Sequence, residues 1–233
     1  FATLSYTISG TPFVDLHATF FLLIATLLIM NNLNTQKNYL WSIITFLIFL
    51  SFLSKQVPAT YAIFGYILIL LYYFCFLQKK EYKKIVIIFF TALLLIISLI
   101  ILLKFNKIDL KSFYIQYLDY PRSIGSSRLD NFEFSINIFF NKYKFIVLPL
   151  LILMFIKFQK IEIQSEETAR YTIFFVFTII IIFHQLMTKN QTYIYFLIPI
   201  LFGLLEKEIN FSNQKFKKYI SIFMIIILTF ITT

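Results

Sequence analysis

The sequence predicts an all-α membrane protein, a polytopic transmembrane helix bundle of about eight spans with one longer extracytoplasmic loop. Three observations predict it. Hydrophobic residues make up 60% of the chain and charged ones 14%, with a mean hydropathy of +0.83, which leaves too little polar surface to coat a globule in water. The apolar residues come in blocks of Ile, Leu and Phe separated by short polar punctuation, unlike the strict alternation of a porin-type barrel. The basic residues, which give a net charge of +10, cluster between those blocks. Membrane topology explains such clusters better than a nucleic-acid surface does, so nucleic acid is not an expected partner and the lipid bilayer is.

The apolar runs predict spans at residues 13–30, 39–54, 59–77, 85–103, 145–158, 171–187, 192–205 and from 219 onward. Several are shorter than the roughly 20 residues that cross a bilayer core, so their helices are expected to continue into the polar flanks or to abut re-entrant or interfacial pieces. Residues 1–233 read as a single transmembrane domain, and the start at Phe1 and the stop at Thr233 inside an apolar run read as a fragment of a longer protein. The one cysteine, Cys75, lies in an apolar run, so no disulfide framework or cysteine metal site is expected.

Orientation comes from the connections. Lys79, Lys80, Lys83 and Lys84 share one; Lys157, Lys160 and Arg170 a second; Lys207, Lys215, Lys217 and Lys218 a third. Successive basic connections are two spans apart, so all three lie on one side, and the positive-inside rule makes that side cytoplasmic. The opposite side receives Lys55, Lys189 and the outer loop 104–144. Within that loop Phe132, Ile136, Phe139, Phe140 and Tyr143 recur at helical spacing, which suggests an interfacial helix over 131–143, although residues 132–138 also alternate with period two. Pro149 and Pro199 fall inside spans, where kinks are expected.

A charge at a span centre costs roughly 2.5–3.5 kcal/mol on insertion scales, so ionisable groups at span edges are the candidates for function. Asp15 and His17 open the first span. They are two apart and so do not share a helix face; Asp15 reads equally as a site residue or a helix N-cap, and His17 as an ordinary surface histidine. Lys55, followed by Gln56 and Pro58, sits in a tight outer turn, where a lone cation suits an anionic ligand; a snorkelling lysine is the plainer reading. The segment Tyr120–Arg128 joins Arg122 and Arg128 to a glycine and three hydroxyls, which is chemistry that grips phosphate, while a solvated loop is the commoner use of such residues. His184, Gln185, Lys189, Tyr193 and Tyr195 crowd a short outer turn that an aromatic belt also explains. No Walker loop, Rossmann glycines, nucleophile elbow or HExxH is present.

Three segments resemble the GT-C fold glycosyltransferases, the superfamily of protein mannosyltransferases and bacterial aminoarabinose transferases. Val14-Asp15-Leu16 through Met30 is similar to a family helix that opens with an aspartate. Phe52 through Pro58 is similar to the family's small-residue–Lys turn, and Lys189 through Pro199 to its basic-then-aromatic turn before a proline-containing helix. The resemblance implies transfer of a hexosyl or pentosyl group from a polyprenyl-phosphate-linked sugar donor to a glycan, lipid or protein acceptor at the outer face of the membrane; the Phe-, Ile-, Lys- and Asn-rich composition points to a bacterial inner membrane with the site facing the periplasm. The residues' own reading fits this: Lys55, Arg122, Arg128 and Lys189 lie on the outer side, where a lipid phosphate would sit, and with Gln56, His184 and Tyr193 they are the expected phosphate or substrate contacts, Asp15 supporting them. The acidic base that the resemblance implies lies upstream of Phe1. No cofactor or metal ligand set is assigned, and a divalent metal stays open. An O-antigen polymerase or ligase would share the lipid-phosphate logic without an acidic first loop; a transporter or flippase would place ionisable groups at span centres.

Overall fold

The computed structural model describes residues 14–35, 37–77, 82–130, 132, 135–158, 166–188, 192–211 and 219. Every regular element among them is helical. In order these are α1 (Val14–Thr35), α2 (Asn38–Ser54), α3 (Gln56–Tyr72, continued by a π-helical turn, Tyr73–Leu77) and α4 (Tyr82–Phe105). After them come α5 (Leu110–Tyr114), a π-helical turn (Ile115–Asp119), α6 (Tyr120–Asp130), α7 (Ile136–Phe158), α8 (Glu166–Thr188), a 3-10 turn (Thr192–Phe196) and α9 (Leu197–Phe211). Four stretches, Val14–Thr35, Gln56–Cys75, Tyr82–Phe105 and Glu166–Thr188, are long and apolar enough to cross a membrane, and Asn38–Ser54 is apolar but shorter. The span expected from 219 onward lies outside the described residues except for Tyr219.

Two compact units form, a larger one holding α1 to α6 and α8 and a smaller one holding α7 and α9. In the larger unit α1 packs against α2, α3 and α8, while α4 packs mainly against α2. Burial follows this arrangement rather than hydropathy. The most apolar helix, α4, has none of its apolar window buried, whereas α1 and α8 have half or more of theirs inside. In lipid there is no hydrophobic drive between helices, so the greasiest surface is free to face the solvent while close contacts use small and polar groups. The Ser51 hydroxyl donates to the Ala18 carbonyl at 2.7 Å, Thr26 and Tyr66 share a hydrogen bond of 2.5 Å, and the Thr91 hydroxyl donates to Ser42 at 3.1 Å. Gly65 lets α3 approach α8, since a Cβ there would sit 2.8 Å from Val176 Cγ1.

The connections between these helices are short for local reasons. Asn32 closes the α1–α2 turn by donating to the Lys37 carbonyl at 3.1 Å and accepting from the Lys37 N–H at 2.8 Å. Lys55 alone joins α2 to α3 and is extended (φ −157°, ψ 131°). Val57 is extended too (φ −110°, ψ 126°), because the ring of Pro58 excludes the helical region for the residue before it. In the smaller unit α7 packs on α9, and Lys157 and Glu208 form a buried ion pair.

Three expectations are corrected. A separate helix over 131–143 is not seen: Phe132 and Ser135 are non-helical, and the helix that begins at Ile136 runs unbroken to Phe158 because Asn141, Lys142 and Lys144 do not interrupt it. Residues 104–144 are not mainly loop, since α5, the π-helical turn and α6 make 110–130 nearly continuous helix. Pro199 does not fall mid-helix; it lies in the first turn of α9, where the missing N–H costs no intrahelical bond. Pro149, in contrast, is inside α7 as expected.

Candidate functional site

At one end of the larger unit the start of α1, the α2–α3 turn and the last turns of α8 converge. The Asp15 carboxylate makes an ion pair with the Lys55 ammonium through Oδ1, and His184 Nε2 lies 3.3 Å from the same oxygen. Asp15 is therefore not the helix N-cap; its charge is spent on two residues from other elements. Asp15 is 7% exposed and His184 1%, so the carboxylate is shielded from water and the pairing is stronger than on a surface. His17 is exposed.

Beside this cluster lies a cavity of about 300 Å³. Lys55, Gln56, Arg128 and His184 contribute to its wall, together with Ser54, Tyr61, Tyr120 and Thr188; Val14, Val57, Ile124 and Met187 supply apolar patches. Asp15 is not part of the wall, although it holds two residues that are. The wall thus combines cationic and hydrogen-bonding side chains with apolar ones, which fits an amphiphile with an anionic group.

Part of the wall comes from α6, through Tyr120, Pro121, Ile124, Gly125 and Arg128, and α6 is continued from the segment that begins at α5. Asp109 caps α5 by accepting from the Ser112 N–H at 2.9 Å and from its hydroxyl at 3.0 Å, and these bonds, the backbone one foremost, hold its carboxyl below the usual range. Tyr117 then fastens the segment to the bundle. Its hydroxyl donates to the Phe52 carbonyl at 2.5 Å, one of the acceptors left without a helical partner at the end of α2. Its ring stacks on Phe113 at 4.9 Å and meets the edge of Phe52 at 6.0 Å. Burial pushes the phenol up to about 12, opposed by a hydrogen bond with Gln56. Because the neutral phenol is the favoured form in the folded state, the bond's contribution is complete below pH 10 and is lost as pH rises through about 12. Tyr117→Phe is expected to cost about 1 kcal/mol in thermal unfolding at neutral pH, with the difference from wild type shrinking above pH 10 and gone past about pH 12.

No protein-family model matches the chain, and no curated protein or solved structure resembles it significantly. The functional argument therefore rests on the residues themselves.

Of the residues singled out from sequence, Lys55, Gln56, Arg128 and His184 share the cavity, and Asp15 stands behind them. Arg122 is exposed on α6 and does not line it; six positions from Arg128, it lies about 120° away around the helix. Lys189 lies outside the described residues, and Tyr193 is in the 3-10 turn. The phosphate-gripping loop read from Tyr120–Arg128 is corrected to a helix, whose interior amides are engaged by its own backbone. Its hydroxyls also turn inward: Ser123, Ser126 and Ser127 donate to the carbonyls of Tyr120, Ser123 and Ile124. Only side chains of this segment are offered to a ligand.

Tyr61, Tyr120, Met187 and Thr188 line the cavity without having been singled out. Nothing in the sequence distinguishes Tyr61 from the chain's other tyrosines. Among the described residues there is no group of three or more His, Cys, Asp or Glu placed to hold a metal ion. His184 Nδ1 and both amide atoms of Gln185 are buried without a protein hydrogen-bond partner.

Proposed function

We propose that the protein is a membrane glycosyltransferase that moves a sugar from a polyprenyl-phosphate carrier to an acceptor at the extracytoplasmic face of a bacterial inner membrane. The observation that carries this reading is the cavity itself, where Lys55 and Arg128 stand beside an apolar wall. A lipid-linked phosphate needs that combination. In the reaction the acceptor hydroxyl attacks the sugar's anomeric carbon, the bond from that carbon to the phosphate oxygen breaks, and the lipid phosphate leaves carrying the electron pair. Lys55 and Arg128 would stabilise the leaving charge, and Gln56 would hydrogen-bond a phosphate or sugar oxygen. The acceptor's proton would go to the acidic base that the family resemblance implies.

In the full proposal the chain contributes about eight spans, with the helical segment 110–130 outside. The buried ionisable residues favour a transferase over a transporter. Asp15, Lys84, Lys157, His184 and Glu208 all lie near helix ends, whereas a transport path calls for such groups near span centres.

The test is transfer by the full-length protein in proteoliposomes, using polyprenyl-phosphate hexose and pentose donors and an extract of envelope glycolipids as acceptor. Arg128→Ala is expected to lower kcat/KM for the donor about tenfold with unchanged expression, an exposed cation contributing less to the leaving charge than the more shielded Lys55. Lipid-linked sugar that is neither bound nor consumed by the wild-type protein would overturn the proposal.

A further inference from the structure

The cavity's main cation is neutralised from behind. Lys55 is in the wall and Asp15 is not, yet Asp15 Oδ1 contacts the ammonium; the two side chains are 26% and 10% exposed. A site built only to attract anions gains nothing from a carboxylate placed there. His184 Nε2 at 3.3 Å gives that carboxylate a second hold, so it does not depend on Lys55 for its place. Arg128, also in the wall, has no carboxylate partner among the described contacts, and Ile124 and Met187 add apolar wall.

From this arrangement we infer that Asp15 is a specificity-determining counter-ion, which weakens Lys55 until a small anion alone is not retained and only a ligand that also reaches Arg128 and the apolar wall is held. The inference rests on the reading of the cavity as a lipid-phosphate site and adds what that site rejects. The ammonium has three donors, so it keeps Asp15 while still offering a hydrogen bond to an incoming phosphate oxygen. What the carboxylate removes is net charge. A free inorganic anion relies on net charge alone, whereas a prenyl phosphodiester adds hydrocarbon burial and a second cation, so the carboxylate costs the small anion proportionally more. At an aqueous boundary, where dissolved anions greatly outnumber lipid carriers, that difference decides occupancy. Asp15 acts through Lys55 and touches no ligand, which makes it a positioning residue.

The experiment measures binding of farnesyl methyl phosphate, a phosphodiester with no proton titrating near neutrality, to the full-length protein in detergent at pH 7.5, with inorganic phosphate as competitor. Wild type is expected to bind the phosphodiester and to ignore inorganic phosphate at about 10 mM. Asp15→Asn, which keeps the shape and removes the charge, is expected to bind inorganic phosphate about tenfold tighter and the phosphodiester only about threefold tighter, so that phosphate now competes. A merely structural role for Asp15 predicts the opposite, weaker binding of both. Wild type that binds the phosphodiester but loses it to phosphate at that concentration overturns the inference without any variant, and so does an Asp15→Asn protein with unchanged or weakened phosphate binding. Wild type that binds no phosphodiester at all overturns the lipid-phosphate reading beneath it.

Discussion

Replacing Lys55 with alanine is expected to lower sugar transfer by about a hundred- to a thousandfold, the loss typical of one charged or hydrogen-bonding group aimed at a developing anion. Two effects add. The ammonium proposed to meet the leaving phosphate is gone, and the Asp15 carboxylate, which the ammonium neutralised, would repel the same phosphate. Lys55→Arg keeps the charge but not its geometry. A planar guanidinium on a longer stem does not reproduce a point charge fixed between two helices, so partial recovery is expected. The measurement is kcat and KM for a polyprenyl-phosphate sugar with the purified variants in liposomes, after circular dichroism has shown both to be helical. Transfer by Lys55→Ala at the wild-type rate would remove Lys55 from the mechanism.

Gly65→Leu is expected to destabilise the larger unit by about 1–3 kcal/mol and to impair the site as well. At Gly65 even a Cβ would come within 2.8 Å of Val176 Cγ1 and 3.6 Å of Ile180 Cδ1. Val176 is β-branched and has few rotamers in a helix with which to retreat, so α3 and α8 must separate. The two helices end in the wall of the cavity, α3 beginning beside Lys55 and α8 carrying His184, so a wedge deep in the bundle changes spacing at its rim. Thermal unfolding in detergent reads the first effect and phosphodiester binding the second. Gly65→Ala is expected to show a smaller version of both; a Gly65→Leu protein as stable as wild type would mean that α3 and α8 are not held this closely.

The helices were legible because hydropathy and helix length are coupled in a membrane, and the common side of Asp15, Lys55 and His184 followed from counting spans between basic connections. Their contact was not legible. Asp15 and His184 are 169 positions apart, and the polar residues that mark each helix end do not say which ends touch. The segment 120–130 misled for a different reason. Pro121, Gly125 and its serines are turn formers by local preference, but proline is tolerated in a first helical turn and each of Ser123, Ser126 and Ser127 satisfies itself on the preceding backbone. The helical repeat of Phe113, Tyr117, Pro121, Ile124 and Arg128 was present throughout, hidden by those residue types. The spacing over 131–143 overlaps α7 only from Ile136 on, and the helix does not stop at Tyr143; Asn141, Lys142 and Lys144 lie within it, and no local residue type marks where it starts.

A single residue joins α2 to α3. Lys55 therefore has little slack of its own: its ammonium moves with the ends of two helices, and in the proposed membrane setting a change in bilayer thickness that tilts them would displace it. On that reading the membrane would act on the proposed anion site mechanically, with α2 and α3 as the levers and the turn between them as the tip.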